Sequence, residues 1–256
     1  MIVDHMTAQT LALTPDALAI IDEARDAGIQ AVAEIYMYTY GGTIVGADYL
    51  KPDNYQTNMG RDYKDIIEVA TLKPLTKERY EELLKSNPGT SVLFYNAVEK
   101  DLMTALSHPT AIIGSDAFPM TVAATGKFAY DWDTPYEGVN GHPRAAGTHG
   151  KLLRLVREKK FIPLMLALSK VTYMPAKFMQ DNGVEQMSRK GRVQEGADAD
   201  ITIFDPDTVT DNSTMKANAL PTTGIPYVVV NGTTVVKNSK VLKDVFPGTA
   251  VRAAVQ

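Results

Sequence analysis

Along the first forty residues the apolar positions change period twice. A β-branched pair, Ile2-Val3, is followed by "TPDALAIIDEARDAG" (14–28), where Leu18, Ile21 and Ala24 recur at helical spacing and give the segment one face to bury. Thr14 reads as the N-cap, Pro15 as the first helical position and Gly28 as the closing residue. "IQAVAEIYMY" (29–38) is apolar and partly β-branched, the pattern of a buried strand. Strand, helix and strand with short joins predict a βαβ unit in a parallel sheet.

The pattern then loosens. Residues 39–75 carry Gly41-Gly42, Pro52, Asn54, Asn58 and Gly60 and read as one long loop with a helical turn around 63–69. Loops of that length inside a compact domain are often functional. "TKERYEELLKS" (76–86) predicts a charged helix, "SVLFYN" (91–96) a third strand, residues 97–107 a helix, and "AIIGSD" (111–116) a fourth strand. After an irregular stretch (117–142), helices return in "AAGTHGKLLRLVREKK", "PLMLALSKVT" and "PAKFMQDNG". The final third becomes short strands, "ADITIFD", "PYVVVNG" and "TTVVKNS", with Asn231-Gly232 as a hairpin turn.

Repeated βα units suggest an α/β barrel, and a complete one needs eight strands in about 250 residues. Only four strand candidates precede the helical stretch. The expected fold is therefore α/β: the later strands of an incomplete TIM-like (β/α)8 barrel over residues 1–190, then strands of a small β-sandwich over 191–256.

Composition narrows the function classes. Of 256 residues, 45% are apolar and 22% charged, the balance of a globular chain with a buried core. A net charge of -4 gives no electrostatic reason to expect nucleic acid or an anionic membrane as partner. With 0 cysteines, disulfides, Cys-ligated zinc within this chain and a Cys nucleophile are excluded. That absence fits a reducing compartment, and the expected location is cytoplasmic. No stretch reaches the roughly 18–20 apolar residues of a membrane helix. "MIVDHMTAQT" lacks a basic signal-peptide region, so the expectation is a chain that begins in mid-fold.

Candidate chemistry collects where strands end, because parallel α/β sheets place their ligands at the carboxyl ends of strands. His5 follows the first strand and reads either as a site residue or as a surface histidine. Tyr36 and Tyr38 close the second strand, as pocket residues or as packing. Asp116 ends the fourth strand. A carboxylate there can ligate a metal and act as a base, although Gly-Ser-Asp also favours turns. Arg144, in His142-Pro143-Arg144, can clamp a substrate carboxylate or simply begin a helix. "YGGTIVG" lacks the features of a phosphate loop, and Ser115 is not set in a nucleophile elbow.

"IIGSDAFP", "HPRAAGTHGKLLRLVREK", "ALSKVTYMPAKFM" and "KGRVQEGADADITIFDPDTVTDNSTM" followed by "GIPYVVVNG" resemble the C-terminal half of N-acyl-D-amino-acid deacylases of the amidohydrolase superfamily. "RVQEGADADITIFDP" points to the superfamily, and "HPR", "GTHGKLLRLVRE" and "DNST" to its D-aminoacylase and D-glutamate deacylase branch. The resemblance implies a metal-dependent hydrolase of carbon–nitrogen bonds other than peptide bonds, with a small-molecule N-acyl-D-amino acid as substrate and zinc as cofactor. His5 matches a metal-binding histidine. Asp116 matches the aspartate that contacts the metal and shuttles a proton from water to the leaving amine. Tyr38 matches a tyrosine that polarises the amide or holds substrate, and Arg144 the arginine that binds the α-carboxylate.

The chain departs from that pattern at Met6-Thr7 and at Met37. The family's His-x-His, bridging ligand and further histidine have no counterparts, so the expectation is a fragment with an incomplete metal site, or one that depends on oligomerisation or a missing N-terminal half. The competing readings are a cyclic amidohydrolase of the hydantoinase or dihydroorotase type and a non-catalytic half-barrel subunit.

Overall fold

In the computed structural model, which describes residues 1–10 and 12–253, the chain opens with β1 (Ile2–Val3), α1 (Met6–Gln9), α2 (Thr14–Asp26) and β2 (Val32–Ile35). β1 and β2 pair in parallel with Ile2 opposite Val32, so the βαβ unit is present. α2 begins at Thr14 itself, with Leu13 in the cap position. The Thr14 hydroxyl meets Thr10 Oγ1 at 2.7 Å instead of capping the helix, a correction to its expected role. Gly28, at φ +83°, turns the chain out of the helix as expected, and its amide returns to Arg25 O at 2.9 Å.

Next come β3 (Tyr40–Ile44), β4 (Ile66–Glu68), β5 (Lys73–Pro74), α3 (Lys77–Ser86) and β6 (Ser91–Tyr95). The four strands form a separate antiparallel sheet in the order β3-β6-β4-β5. Two expectations are corrected here. "SVLFYN" is not a strand of the parallel sheet, since β6 runs antiparallel to β3 with Tyr95 opposite Tyr40. Residues 39–75 are not one loop, because they supply three strands of this sheet. A short apolar run carries no information about the direction of its partner, which is why the pattern misplaced it. Gly41-Gly42 lies inside β3 for a packing reason. A Cβ at Gly41 would come within 2.9 Å of Asn96 Nδ2 and 3.0 Å of the Phe94 ring. Behind the sheet Leu50, Tyr55, Ile66, Tyr80 and Val92 form a core of their own.

The chain returns through α4 (Glu99–Ser107) to β7 (Ile112–Ile113), which pairs in parallel with β2, Glu34 opposite Ile112. The order β1-β2-β7 completes the parallel sheet among the described residues. A short antiparallel pair, β8 (Thr121–Val122) and β9 (Val139–Asn140), lies within the stretch that reads as irregular. The helices α5 (Arg144–Lys159), α6 (Leu164–Val171) and α7 (Tyr173–Asp181) follow. Leu18 and Ile21 of α2, Ile35 of β2, Leu106 of α4 and Leu152 of α5 meet in the main core.

The last third forms an antiparallel meander of β10 (Ile201–Ile203), β11 (Tyr227–Val230), β12 (Thr233–Lys237) and β13 (Lys240–Val241). Asn231 and Gly232 turn β11 into β12 at φ 47° and 76°, as the Asn-Gly pair predicts. A second left-handed pair, Asn238 and Ser239 at φ 51° and 60°, adds β13, which the pattern did not reveal. Positions 254–256 of the expected C-terminal element lie outside the described residues. Among the described residues no helix is long and apolar enough to cross a membrane.

Candidate active site

At the carboxyl ends of the three parallel strands the backbone becomes irregular and polar. β1 runs into His5, which is left-handed at φ 52° and ψ 41°. β7 runs through Gly114-Ser115 into Asp116, also left-handed at φ 50°. A left-handed non-glycine residue costs on the order of 1–2 kcal/mol, and such strain persists where surrounding contacts hold it. Between them β2 carries Glu34 and, one residue past its end, Tyr36.

These groups converge. His5 Nε2 lies 3.3 Å from Asp116 Oδ1, and its Nδ1 lies 3.0 Å from Glu34 Oε2. The same Glu34 oxygen accepts the His5 backbone N–H at 2.9 Å. On the far side of Asp116, Arg144 Nη1 reaches Oδ2 at 2.6 Å. Arg144 is 2% exposed, with its guanidinium 5.2 Å from the centre of the Tyr36 ring and 5.6 Å from that of Phe118. Its Nε is buried and has no hydrogen-bond partner among the described residues. The cluster opens into a cavity of about 270 Å³ lined also by Gly42, Tyr49 and Asn96.

The charges tune one another. The hydrogen bond to Glu34, aided by the Asp116 charge, raises His5 above the ordinary imidazole value against the opposing effect of burial. Burial raises Asp116, while the positive charges of Arg144 and His5 pull it back down. Burial lowers Arg144, and Asp116 partly restores it.

Arg144 is the first residue of α5, and its placement is built from the chain around it. His142 Nδ1 accepts the Arg144 backbone N–H at 3.0 Å, and His142 Nε2 donates to Tyr40 O at 2.9 Å. Both ring nitrogens are thereby used by the neutral form. Burial, then the Arg144 charge, pushes His142 down to about 3. Ser213 Oγ donates to Pro143 O at 2.9 Å, and a Cβ at Gly147 would lie 2.2 Å from that same Oγ. A Cβ at Gly150 would lie 2.4 Å from Thr222 Oγ1, and Arg154 Nε holds Asp211 Oδ1 at 2.5 Å. The "GTHG" and "DNST" stretches therefore seat against each other and fix the end of the helix that bears Arg144.

Of the residues singled out from sequence, His5, Asp116 and Arg144 come together in this cavity. Tyr38 does not. Its ring packs edge-on against His142, 5.1 Å between centres, beneath Lys151 Nζ at 3.9 Å, and burial pushes it up to about 12. Tyr36 takes the place facing the cavity, its hydroxyl bonded to Asn96 at 2.8 Å. Strand geometry ends at Ile35, so two-residue alternation does not carry across to Tyr38. Glu34 and Asn96 went unnoticed in the sequence, where the one available signal was a lone carboxylate inside the apolar run "AVAEIY".

His5 Nε2 and Asp116 Oδ1, 3.3 Å apart, are two groups able to ligate a metal. Among the described residues no group of three or more His, Cys, Asp or Glu side chains is arranged to hold a metal ion. A catalytic zinc keeps three protein ligands, so the donor set in this chain does not fit one.

Residues 7–236 match the profile of the amidohydrolase family. The chain belongs to the amidohydrolase family. Among curated amidohydrolase relatives it is 27% identical to the N-acyl-D-glutamate deacylase of Alcaligenes xylosoxydans xylosoxydans over 221 residues, 84% of this chain and 40% of that protein. It is likewise 27% identical over 236 residues to the D-aminoacylase of the same organism, covering 88% of this chain and 41% of the relative. Among solved structures, the N-acyl-D-glutamate deacylase of Bordetella bronchiseptica, complexed with zinc and a phosphonate inhibitor that mimics the tetrahedral intermediate, aligns with a TM-score of 0.74 at 25% identity. That alignment covers 98% of this chain and 49% of the other. This amidohydrolase chain thus spans less than half the length of these relatives.

Proposed function

We propose that this cavity is the carboxylate-binding and proton-transfer part of a hydrolase that cleaves the amide bond of N-acyl-D-amino acids, N-acyl-D-glutamate among them. The observation that carries the reading is a single one: a buried guanidinium, a carboxylate and an imidazole meet in one cavity at the carboxyl ends of parallel strands. The similarity to a D-glutamate deacylase supports the substrate class.

In this reading Arg144, which lines the cavity, binds the substrate's α-carboxylate. Asp116 takes a proton from the attacking water and returns it to the amine as the carbon–nitrogen bond breaks, so water is consumed and no other reactant is needed. His5 holds Asp116 from one side and Arg144 holds it from the other.

The two-donor count bears on the metal. The relative carries zinc, and in this reading the remaining ligands come from barrel strands that these 256 residues do not supply. The three parallel strands then belong to an eight-stranded barrel, and no step is assigned to the metal.

Calorimetric titration of the purified chain tests the substrate class. N-acetyl-D-glutamate should bind in preference to its L-enantiomer and to hydantoin, and Arg144→Met should abolish that binding. Asp116→Asn should strengthen it, because Asp116 competes for the guanidinium. Equal binding of both enantiomers would defeat the D-amino-acid assignment, and tighter hydantoin binding would favour a cyclic amidohydrolase. A zinc stoichiometry well below one, with no hydrolysis of N-acetyl-D-glutamate, is the outcome expected of the incomplete site. Tight zinc with brisk turnover would overturn that part.

A further inference from the structure

We infer that Glu34 is the positioning residue of this site, setting both the backbone and the ring of His5 so that Nε2 faces Asp116. Glu34 lies in the middle strand of the parallel sheet and is 8% exposed, where an aliphatic side chain would pack without penalty. Burying a carboxylate is costly unless hydrogen bonds replace water. Among the described residues its bonds both go to His5: Oε2 accepts the backbone N–H at 2.9 Å and contacts Nδ1 at 3.0 Å. An oxygen that already accepts the amide also accepts from the ring, so Nδ1 carries the proton. The amide bond helps hold His5 in its left-handed conformation, and the ring bond fixes the rotation that leaves Nε2 turned to Asp116 Oδ1, 3.3 Å away. This is the arrangement by which a carboxylate behind a histidine orients the nitrogen that works.

A second observation concerns the space around the carboxylate. Glu34 Oε1 is buried with no partner among the described residues, and a Cβ at position 114 would lie 2.3 Å from it. Gly114 lies just past the end of β7, two residues before Asp116, with its amide on Ile35 O at 3.1 Å. Glycine there is the opening that lets Glu34 stand upright between the strands that deliver His5 and Asp116.

The inference deepens the proposed function and rests on that reading for its role in catalysis, but its geometry can be tested with no substrate present. The full chain has 4 histidines, so proton–nitrogen spectra of ¹⁵N-histidine-labelled protein resolve each ring, with His5→Asn assigning the signal of interest. In the unaltered protein His5 should show a protonated, slowly exchanging Nδ1. Glu34→Ala should abolish that signal while those of His108, His142 and His149 stay in place. Gly114→Ala, which leaves the glutamate present but displaced, should weaken it. Glu34→Gln should move it upfield and speed its exchange, since a neutral amide is the weaker acceptor. A His5 Nδ1–H unchanged in Glu34→Ala, or in Glu34→Gln if the alanine variant unfolds, overturns the inference. Loss of D-selectivity in the titrations would sink the substrate class and leave this result standing.

Discussion

The ends of the parallel strands and the turns of the C-terminal meander both use left-handed backbone, for opposite reasons. In the meander the left-handed positions are Asn231, Gly232, Asn238 and Ser239, in turns that flank the mostly half-buried strands β11 and β12. Asparagine and glycine adopt that conformation cheaply, and the turn is its purpose. At the sheet ends the positions are His5 and Asp116, residue types that enter it more readily than most but less cheaply than glycine. There the strain is held by partners from other segments, Glu34 for His5 and Arg144 for Asp116. Strain answered by a local turn marks a fold device, and strain answered by distant charged groups marks a site.

The contrast breaks most visibly at Arg144. Arg144→Met leaves Asp116 without its countercharge and should lower unfolding free energy by about 3 kcal/mol, the range seen when one partner of a buried ion pair is removed. Urea denaturation of the two proteins measures it. A loss below about 1 kcal/mol would place this pair with the exposed ones, such as Lys177 with Asp181 at 2.5 Å, which contribute little.

The next largest effect is one of pH. His142 is held at about 3 when folded, whereas an unfolded histidine titrates near 6.5. The unfolded chain therefore takes up the proton first, and the stability contributed by neutral His142 is full above about pH 6.5 and lost as pH falls toward 3. Each unit in that window removes about 1.4 kcal/mol, so moving from pH 7 to pH 5 should cost about 2 kcal/mol through this residue. His149, also lowered by burial, adds in the same direction. His142→Gln should flatten the pH dependence by about that 2 kcal/mol relative to the unaltered chain. An unchanged slope would show that the ring is not held neutral beneath Arg144.

What the sequence made legible follows the same division. The helix from Thr14 to Asp26 and the Gly28 turn that closes it, the parallel pairing across it and the Asn231-Gly232 turn are local features, and each was readable from adjacent residues. Asp116 and Arg144 stood out because each sits where a strand ends or a helix begins. The destination of "SVLFYN" was not readable, because nothing in an apolar run specifies whether its neighbour is β2 or β3. Tyr36 and Tyr38 could not be told apart either, since the bend that separates them begins just after Ile35. Glu34 was hidden for a third reason. Its role depends on an oxygen facing His5 across 29 residues and on an opening at Gly114, neither of which leaves a trace in its own segment.

Asn231→Ala probes the other half of the comparison. Alanine in a left-handed turn should cost about 1 kcal/mol in stability. N-acetyl-D-glutamate affinity should stay unchanged, because the meander's strain does not serve the cavity. Altered affinity would connect the two regions and blur the distinction between them.

The smallest effect sharpens the comparison furthest, because it sets one exposed aromatic against another. Phe118 is 64% exposed yet lies over Arg144, while Phe246, 74% exposed, pairs with Trp132 at 6.4 Å between ring centres. Neither ring buries enough area for its loss to matter greatly to folding, so Phe118→Ala and Phe246→Ala should both unfold within about 0.5 kcal/mol of the unaltered chain. They should separate in binding. Phe118 covers one face of the guanidinium, so its removal should let water compete with the carboxylate and weaken N-acetyl-D-glutamate binding about threefold. Phe246→Ala should leave that binding as it was. Equal affinities for the two variants would mean that Phe118 is surface decoration, and that the carboxylate reaches Arg144 without passing beneath the ring.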